Sequence, residues 1–218
     1  MLSTSPAIED YLKTVYAHTE WQPNPITPKA LADRLGIAPS SVTEMVKRMS
    51  VLGLVTHVPY KAIQLTDAGL NRALAVVRRH RLIESWLVSE MGYAWDEVHE
   101  EAEILEHVLS DRLLEAIDSR LGRPVRDPHG DAIPAVDGEV VVEPAVRLDE
   151  APTGHRGRII RISDRDPGVL RELAASGIGL GEMLKVVKSA NEAPVLVTAR
   201  GQRLSVLWAT AGAIWVSS

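Results

Sequence analysis

Cysteine is absent from all 218 residues, which excludes disulfides, zinc–thiolate centres and thiol nucleophiles and leaves the redox compartment unmarked. Long apolar runs are also missing. No stretch approaches the roughly 18 residues of a spanning helix, and residues 1–20 lack a basic start followed by an apolar block. The expectation is a cytoplasmic protein without membrane contact. A hydrophobic content of 45% in a chain of this length still supports a real core, arranged as two or three small domains.

An excess of positive charge is lacking as well. The formal net charge of −5 argues against a nucleic-acid partner until it is divided along the chain. Residues 1–66 are +1, residues 67–142 are −8 with sixteen acidic against eight basic groups, and residues 143–218 are +2. Acidity is concentrated in the middle third, where a bound divalent cation would relieve repulsion; a solvated acidic helical region reads equally well from charge alone.

What is present is a winged helix-turn-helix pattern. Ile8, Leu12, Val15 and Tyr16 recur at helical spacing after a Ser-Pro start. Thr27-Pro28 caps a second helix through Leu35, and Gly36 ends it. From Ala38 to about Leu52 a third helix buries Val42, Met45, Val46 and Met49 and leaves its polar residues outside, as a recognition helix should. Gly53 to Thr66 alternates in and out of Pro59-Tyr60-Lys61 as a hairpin wing. The DNA-facing candidates are Thr27, Pro39, Ser40, Ser41 and Thr43 near helix starts, Lys47 and Arg48 for charge, Glu44 toward a cytosine amino group, and Tyr60 and Lys61 on the wing.

Thr66 caps a long helix to about Met91, with Leu70, Leu74, Val77, Leu82 and Leu87 in the core, and two shorter helices follow over residues 96–110 and 111–121. Their apolar residues, among them Trp86, Val98, Ile104, Leu105, Val108, Leu113, Leu114 and Ile117, exceed what so small a unit buries, which predicts a dimer interface. After a Pro- and Gly-rich stretch the chain reads as short strands around a helical insert at 168–175, a small SH3-like barrel. The fold class is therefore mainly α with a small β portion. The DNA-binding domain covers residues 1–72, a helical metal-binding and dimerisation domain 73–140, a linker 141–154, and the barrel 155–218.

His99-x3-Glu103-x2-Glu106-His107 places four ligand-type residues at helical offsets that put them on one face, aimed at a single divalent ion, and His80-x3-Glu84 repeats the geometry upstream. Imidazole and carboxylate without sulfur favour Mn²⁺, Fe²⁺ or Co²⁺, and Zn²⁺ would also bind. Two other classes stay open on this pattern: a two-metal hydrolase, although no nucleophile or general-base motif accompanies the cluster, and a winged-helix regulator with an organic effector in which the cluster is a salt-bridge network.

Glu9-Asp10-Tyr11-Leu12, the winged helix, Arg79-His80-Arg81-Leu82-x-Glu84, His99 through Ser110, and Pro128-x-Gly130-x2-Ile133-Pro134 together resemble the DtxR/MntR metalloregulators over essentially the whole chain. The resemblance implies a homodimer that binds double-stranded operator DNA when its metal sites fill, with no organic cofactor. It implies a primary site of Asp10, Glu103, Glu106 and His107 and an ancillary site of His80, Glu84 and His99. Long members add two ligands from the C-terminal module, which fall by position on Asp166 and on Val169, a residue that cannot ligate through its side chain. Lys13 stands where short manganese regulators carry a further Glu. The iron-responsive branch has Met and Cys where this chain has Asp10 and Glu103, so the oxygen-only set points to Mn²⁺ over Fe²⁺.

Overall fold

Pro6, Pro28 and Pro39 each open a helix, where the fixed φ is pre-set and the missing N–H has no intrahelical partner to lose. These helices are α1 (Pro6–Thr19), α2 (Pro28–Leu35) and α3 (Pro39–Val51). The computed structural model describes residues 5–22, 24–56, 62–189, 195–199 and 201–218. Thr27 Oγ1 accepts from Ala30 N at 3.2 Å, and Gly36 closes α2 in the left-handed region at φ 65°. Ile8, Leu12, Val15, Leu31, Val42, Val46 and Met49 pack with Leu54 and Ile63 in one core, against which Met45 is only partly buried. Strands β1 (Val55–Thr56) and β2 (Gln64–Leu65) pair antiparallel as the base of the wing. The expected wing contacts Tyr60 and Lys61 lie outside the described residues.

Helix α4 (Asp67–Glu90) starts under a double restraint. Thr66 Oγ1 accepts from Gly69 N at 3.1 Å and donates to Gly53 O at 2.6 Å. A Cβ on Gly69 would meet Leu54 O at 1.9 Å, so only glycine fits there. Leu74, Val77, Leu82 and Leu87 are buried as expected, whereas Leu70 is 36% exposed, on the side of α4 away from Gly69 and its contact with Leu54.

The chain divides into two compact units, Met1–His80 with Pro134–Glu139, and Arg81–Ile133 with Val140–Ser218. In the second unit, α5 (Val98–Leu105) packs Val98 and Ala102 against Ile83 and Leu87 of α4. Helix α6 (Asp111–Arg120) follows, capped by Ser110. Val98 and Ile117 are buried, but Ile104, Val108 and Leu113 are 66%, 73% and 47% exposed, an apolar surplus the unit itself does not cover.

The barrel sheet is built from β3 (Ala145–Arg147), β4 (Arg156–Ile162), β5 (Met183–Lys188), β6 (Val195–Ala199), β7 (Gln202–Val206) and β8 (Ile214–Ser217), all antiparallel in the order β3-β8-β4-β5-β6-β7. Helix α7 (Pro167–Ala175) matches the expected insert, and a short α8 (Trp208–Ala211) was not anticipated. The expected linker 141–154 needs correction: β3 lies inside it, and Leu148 and Ala151 are buried in the barrel core. Three residues paired only to β8 carry too little alternation to be read from sequence. Among the described residues no helix is long and apolar enough to cross a membrane.

Candidate metal centre

The acidic middle of the chain folds around Glu84, which α4 carries into the interior at 1% exposure. His99, in the first turn of α5, brings Nδ1 to 3.3 Å from Glu84 Oε1 and 3.2 Å from Asp164 Oδ2. Asp164 lies two residues beyond β4. Glu84, His99 and Asp164 each offer one ligand atom, all within 4.8 Å of one another. His80, also buried, precedes Glu84 by one turn of α4.

On its other side Glu84 meets a turn of the Pro- and Gly-rich stretch. Glu84, Asp127 and His129, all buried, form a second group with ligand atoms within 4.8 Å. His129 Nε2 lies 2.7 Å from the Trp95 carbonyl, which only accepts, so Nε2 keeps its proton in either charge state and Nδ1 is the nitrogen that can turn to a metal once the ring gives up its second proton. Nδ1 is buried, has no hydrogen-bond partner among the described residues, and stands 3.8 Å from Glu84 Oε2. A buried imidazole nitrogen aimed at two carboxylates without a bond of its own is what a divalent ion needs, so the donor set fits a metal.

The turn is held from several directions. Asp127 Oδ1 accepts from His129 N and Asp131 N, both at 2.9 Å. Ile162 N of β4 donates to His129 O at 2.9 Å. A Cβ on Gly130, at φ 91°, would sit 2.0 Å from Ile160 O, so the turn lies directly against β4.

Charge follows this packing. Burial alone would lower the His99 pKa, but the Asp164 and Glu84 carboxylates override it and raise it to about 10. For His129 burial is likewise overridden, by Glu84 and Asp127, to about 9. Burial tends to raise the Asp164 pKa, yet the His99 hydrogen bond holds it well below the usual carboxylate range. Asp127 is pushed up, first by burial and then by Asp131 and Glu84. Protonated imidazoles thus balance this acidic pocket in the metal-free protein.

The four residues expected to share one helix face are divided instead. Helix α5 ends at Leu105; Glu106 is its C-cap, fully buried, and His107 follows in a turn with Nε2 3.5 Å from Glu106 Oε1. His99 turns toward Glu84 and Asp164, while Glu103 stands between, 3.4 Å from His99 Nε2 and with a ligand oxygen within 4.8 Å of one on Glu106. A two-turn helix does not keep phase past its cap, which is why offsets alone merged two sites. Asp10 lies half-buried on α1 in the first unit.

Asp166 is a correction. It is exposed and caps α7, its Oδ1 accepting from Gly168 N at 2.8 Å, and Val169 packs against the barrel core. The carboxylate that joins the cluster is Asp164, because β4 delivers it there and the chain then turns away into α7. Asp127, His129 and Asp164 were missed by spacing, since a turn and a strand end have no helical period; the Pro128-x-Gly130 motif was the available pointer.

On the DNA-binding unit Thr27, Pro39, Ser40, Ser41, Thr43, Glu44, Lys47 and Arg48 are all exposed. Thr27 is engaged as the α2 cap, Thr43 Oγ1 donates to Pro39 O at 3.0 Å, and Lys47 Nζ pairs with Glu44 Oε1 at 2.9 Å.

A winged helix ahead of a buried carboxylate–imidazole centre defines the class as a metal-dependent DNA-binding regulator. Family models agree along the chain. The iron dependent repressor N-terminal DNA binding domain matches residues 3–63, its metal binding and dimerisation domain matches 66–135, and the FeoA domain matches 146–218. A solved manganese-dependent transcriptional repressor in complex with manganese is 44% identical, with a TM-score of 0.93 over 97% of this chain and 99% of that one. The iron-dependent repressor IdeR of Mycobacterium tuberculosis is 37% identical over 153 residues, 67% of this chain and 66% of that protein. The diphtheria toxin repressor of Corynebacterium diphtheriae is 32% identical over 163 residues, 72% of each. The chain belongs to the DtxR/MntR family of metal-dependent transcriptional repressors, which are not enzymes.

Proposed function

We propose that this repressor is cytoplasmic, responds to manganese, and binds operator DNA of metal-homeostasis genes as a homodimer. The observation that carries the metal assignment is the donor set: carboxylates and imidazoles surround Glu84 and Glu106, and no sulfur exists in the chain outside its five methionines. Oxygen-rich sites of this kind favour Mn²⁺ over softer competitors. The ligands proposed for one site are Glu103, Glu106 and His107, with Asp10 added by the resemblance. For the other they are His80, Glu84, His99 and Asp164, with His129 and Asp127 as further donors. When bound, the metal supplies positive charge that replaces the protons on His99 and His129.

Glu84 and Glu106 position the sites, being held by the helices that bury them, and Trp95 fixes the His129 tautomer. By the resemblance, metal binding would restrain the separation of the paired recognition helices to that of half-sites about one helical turn apart. A coupling of about 1–3 kcal/mol is typical of such linkage. The exposed Ile104, Val108 and Leu113 supply apolar area for the dimer contact.

The second reading is an iron-responsive repressor, favoured by the kinship with IdeR and the diphtheria toxin repressor. Anaerobic equilibrium dialysis against Mn²⁺ and Fe²⁺ at equal free concentrations separates the two. Preferential retention of Mn²⁺, reduced in Glu103→Ala and Glu84→Ala, supports the manganese reading, and preferential Fe²⁺ retention replaces it.

A further inference from the structure

The outward face of the barrel sheet carries cations that the fold leaves unneutralised. Residues directly opposite in an antiparallel pair share a face. Arg156 stands opposite Lys185, Lys185 opposite Thr198, and Thr198 opposite Arg203. One row therefore crosses β4, β5, β6 and β7 with a cation on three of the four strands. At a strand spacing of about 4.8 Å the row extends about 14 Å. Arg158 lies two residues along β4 on the same face, and a bulge between Val186 and Lys188 keeps Lys188 outward, opposite Leu196. All five cations are exposed.

Other arginines of the barrel and its neighbouring helix are paired, Arg147 with Asp149, Arg161 with Asp131 and Arg171 with Asp96, whereas Arg112 on α6 is exposed like the sheet cations. Arg156, Arg158, Lys185, Lys188 and Arg203 make no ion pair among the described residues. Like charges directly opposite on a sheet are destabilising, so the Arg156–Lys185 pair costs the isolated barrel stability. An extended anion laid across the row offsets that cost. The face is a sheet surface without an enclosed donor, which suits a repeating phosphate backbone better than a single small anion.

The recognition helix leaves this role open. Lys47 on α3 is tied to Glu44, and residues 1–66 carry a net charge of only +1. A duplex presents one negative charge per about 1.7 Å of axis, and phosphate contacts made anywhere on a protein add to its affinity. We propose that the outer β4–β7 face is a second, sequence-independent DNA-binding surface that holds the phosphate backbone through Arg156, Lys185 and Arg203. The inference rests on the reading of the chain as a DNA-binding repressor.

Its test uses the full chain with Mn²⁺, a random-sequence duplex of about 40 base pairs, and fluorescence anisotropy over a salt series around 0.1 M. Two variants are compared with the unaltered protein: the triple Arg156→Ala, Lys185→Ala, Arg203→Ala, and Thr198→Glu, which sets a carboxylate between Lys185 and Arg203. The triple variant should bind about ten-fold or more weakly, with a log–log salt slope shallower by about 2–3. Thr198→Glu should also bind more weakly while melting no lower, since it adds ion pairs to the row; this separates lost contacts from lost folding. Unchanged affinity and slope in both variants, with the unaltered protein binding normally, would overturn the proposal. So would losses confined to vesicles containing phosphatidylserine, which would make the surface a membrane contact. An unaltered protein that binds no duplex with either Mn²⁺ or Fe²⁺ would overturn the repressor reading itself and this inference with it.

Discussion

Arg161 on β4 donates from Nε to Asp131 Oδ1 at 2.6 Å, with both side chains 7% exposed. Its guanidinium lies 4.2 Å from the Trp215 ring centroid. From α4, Arg81 reaches the same loop, 3.6 Å from Asp127 Oδ2 and 3.7 Å from Asp131 Oδ1, and donates to the Ala132 carbonyl. Two arginines thus fasten the segment that carries Asp127 and His129, one from the helix behind it and one from the barrel. Removing one partner of a buried pair leaves the other charge uncompensated, at a cost of about 3–5 kcal/mol. Arg161→Ala should lower the thermal midpoint of the metal-free protein by several degrees. Arg161→Lys should recover only part of that, because it keeps the charge but loses the planar stack over Trp215.

Gly130→Ala tests the contact between that turn and β4. The residue is at φ 91°, and a Cβ would lie 2.0 Å from the Ile160 carbonyl oxygen, so the turn must move away. The Ile162 N to His129 O bond should break with it. Calorimetric Mn²⁺ titration should then show loss of one class of site, that of Glu84, Asp127 and His129, with the class containing Glu103 and Glu106 retained. Two intact classes of site would refute the assignment.

Asp164 and Asp166 should behave differently despite their closeness in sequence. Asp164→Asn removes a carboxylate that His99 Nδ1 approaches at 3.2 Å, so metal affinity at that cluster should fall by about ten-fold or more. Asp166→Ala removes the α7 cap, which costs about 1 kcal/mol of stability and leaves metal stoichiometry unchanged. Equal metal losses in the two variants would contradict the placement.

The pH dependence follows from the two raised histidines. A group whose folded pKa lies above its unfolded value stabilises fully below the unfolded value, and that stabilisation is lost as pH rises through the folded one. With His99 raised to about 10 and His129 to about 9 from 6.5, metal-free stability should decline as pH rises from 6.5 through these values. Metal binding in that window must displace the protons, so affinity should increase with pH. Calorimetry in two buffers of different ionisation enthalpy should detect proton release at neutral pH, and buffer-independent heats would contradict the protonated state.

Where local chemistry decides the structure, the sequence was readable. Thr27-Pro28, Gly36 and Thr66 mark helix ends by capping and by backbone freedom, and the structure uses all three in those roles. Glu84 and His99 were visible as ligand types on helices with a strong period. The rest depended on long-range packing. Asp127, His129 and Asp164 converge only because the turn lies against β4, a contact that no local spacing encodes. The division of His99 from Glu106 and His107 reflects the end of α5 at Leu105, and helix ends without Gly or Pro are weakly marked. The three-residue β3 is defined by its pairing with β8 rather than by its own residues.

Occupancy of a sulfur-free metal centre should control DNA binding. Its most direct measurement is anaerobic binding of the full chain to genomic fragments upstream of metal-transport genes, titrated separately with Mn²⁺ and Fe²⁺ and reversed with a chelator. Retention is expected only when metal is present, at lower free Mn²⁺ than Fe²⁺, and is expected to be lost in Glu106→Ala. Retention that persists in chelator, or that is indifferent to Glu106→Ala, would contradict it.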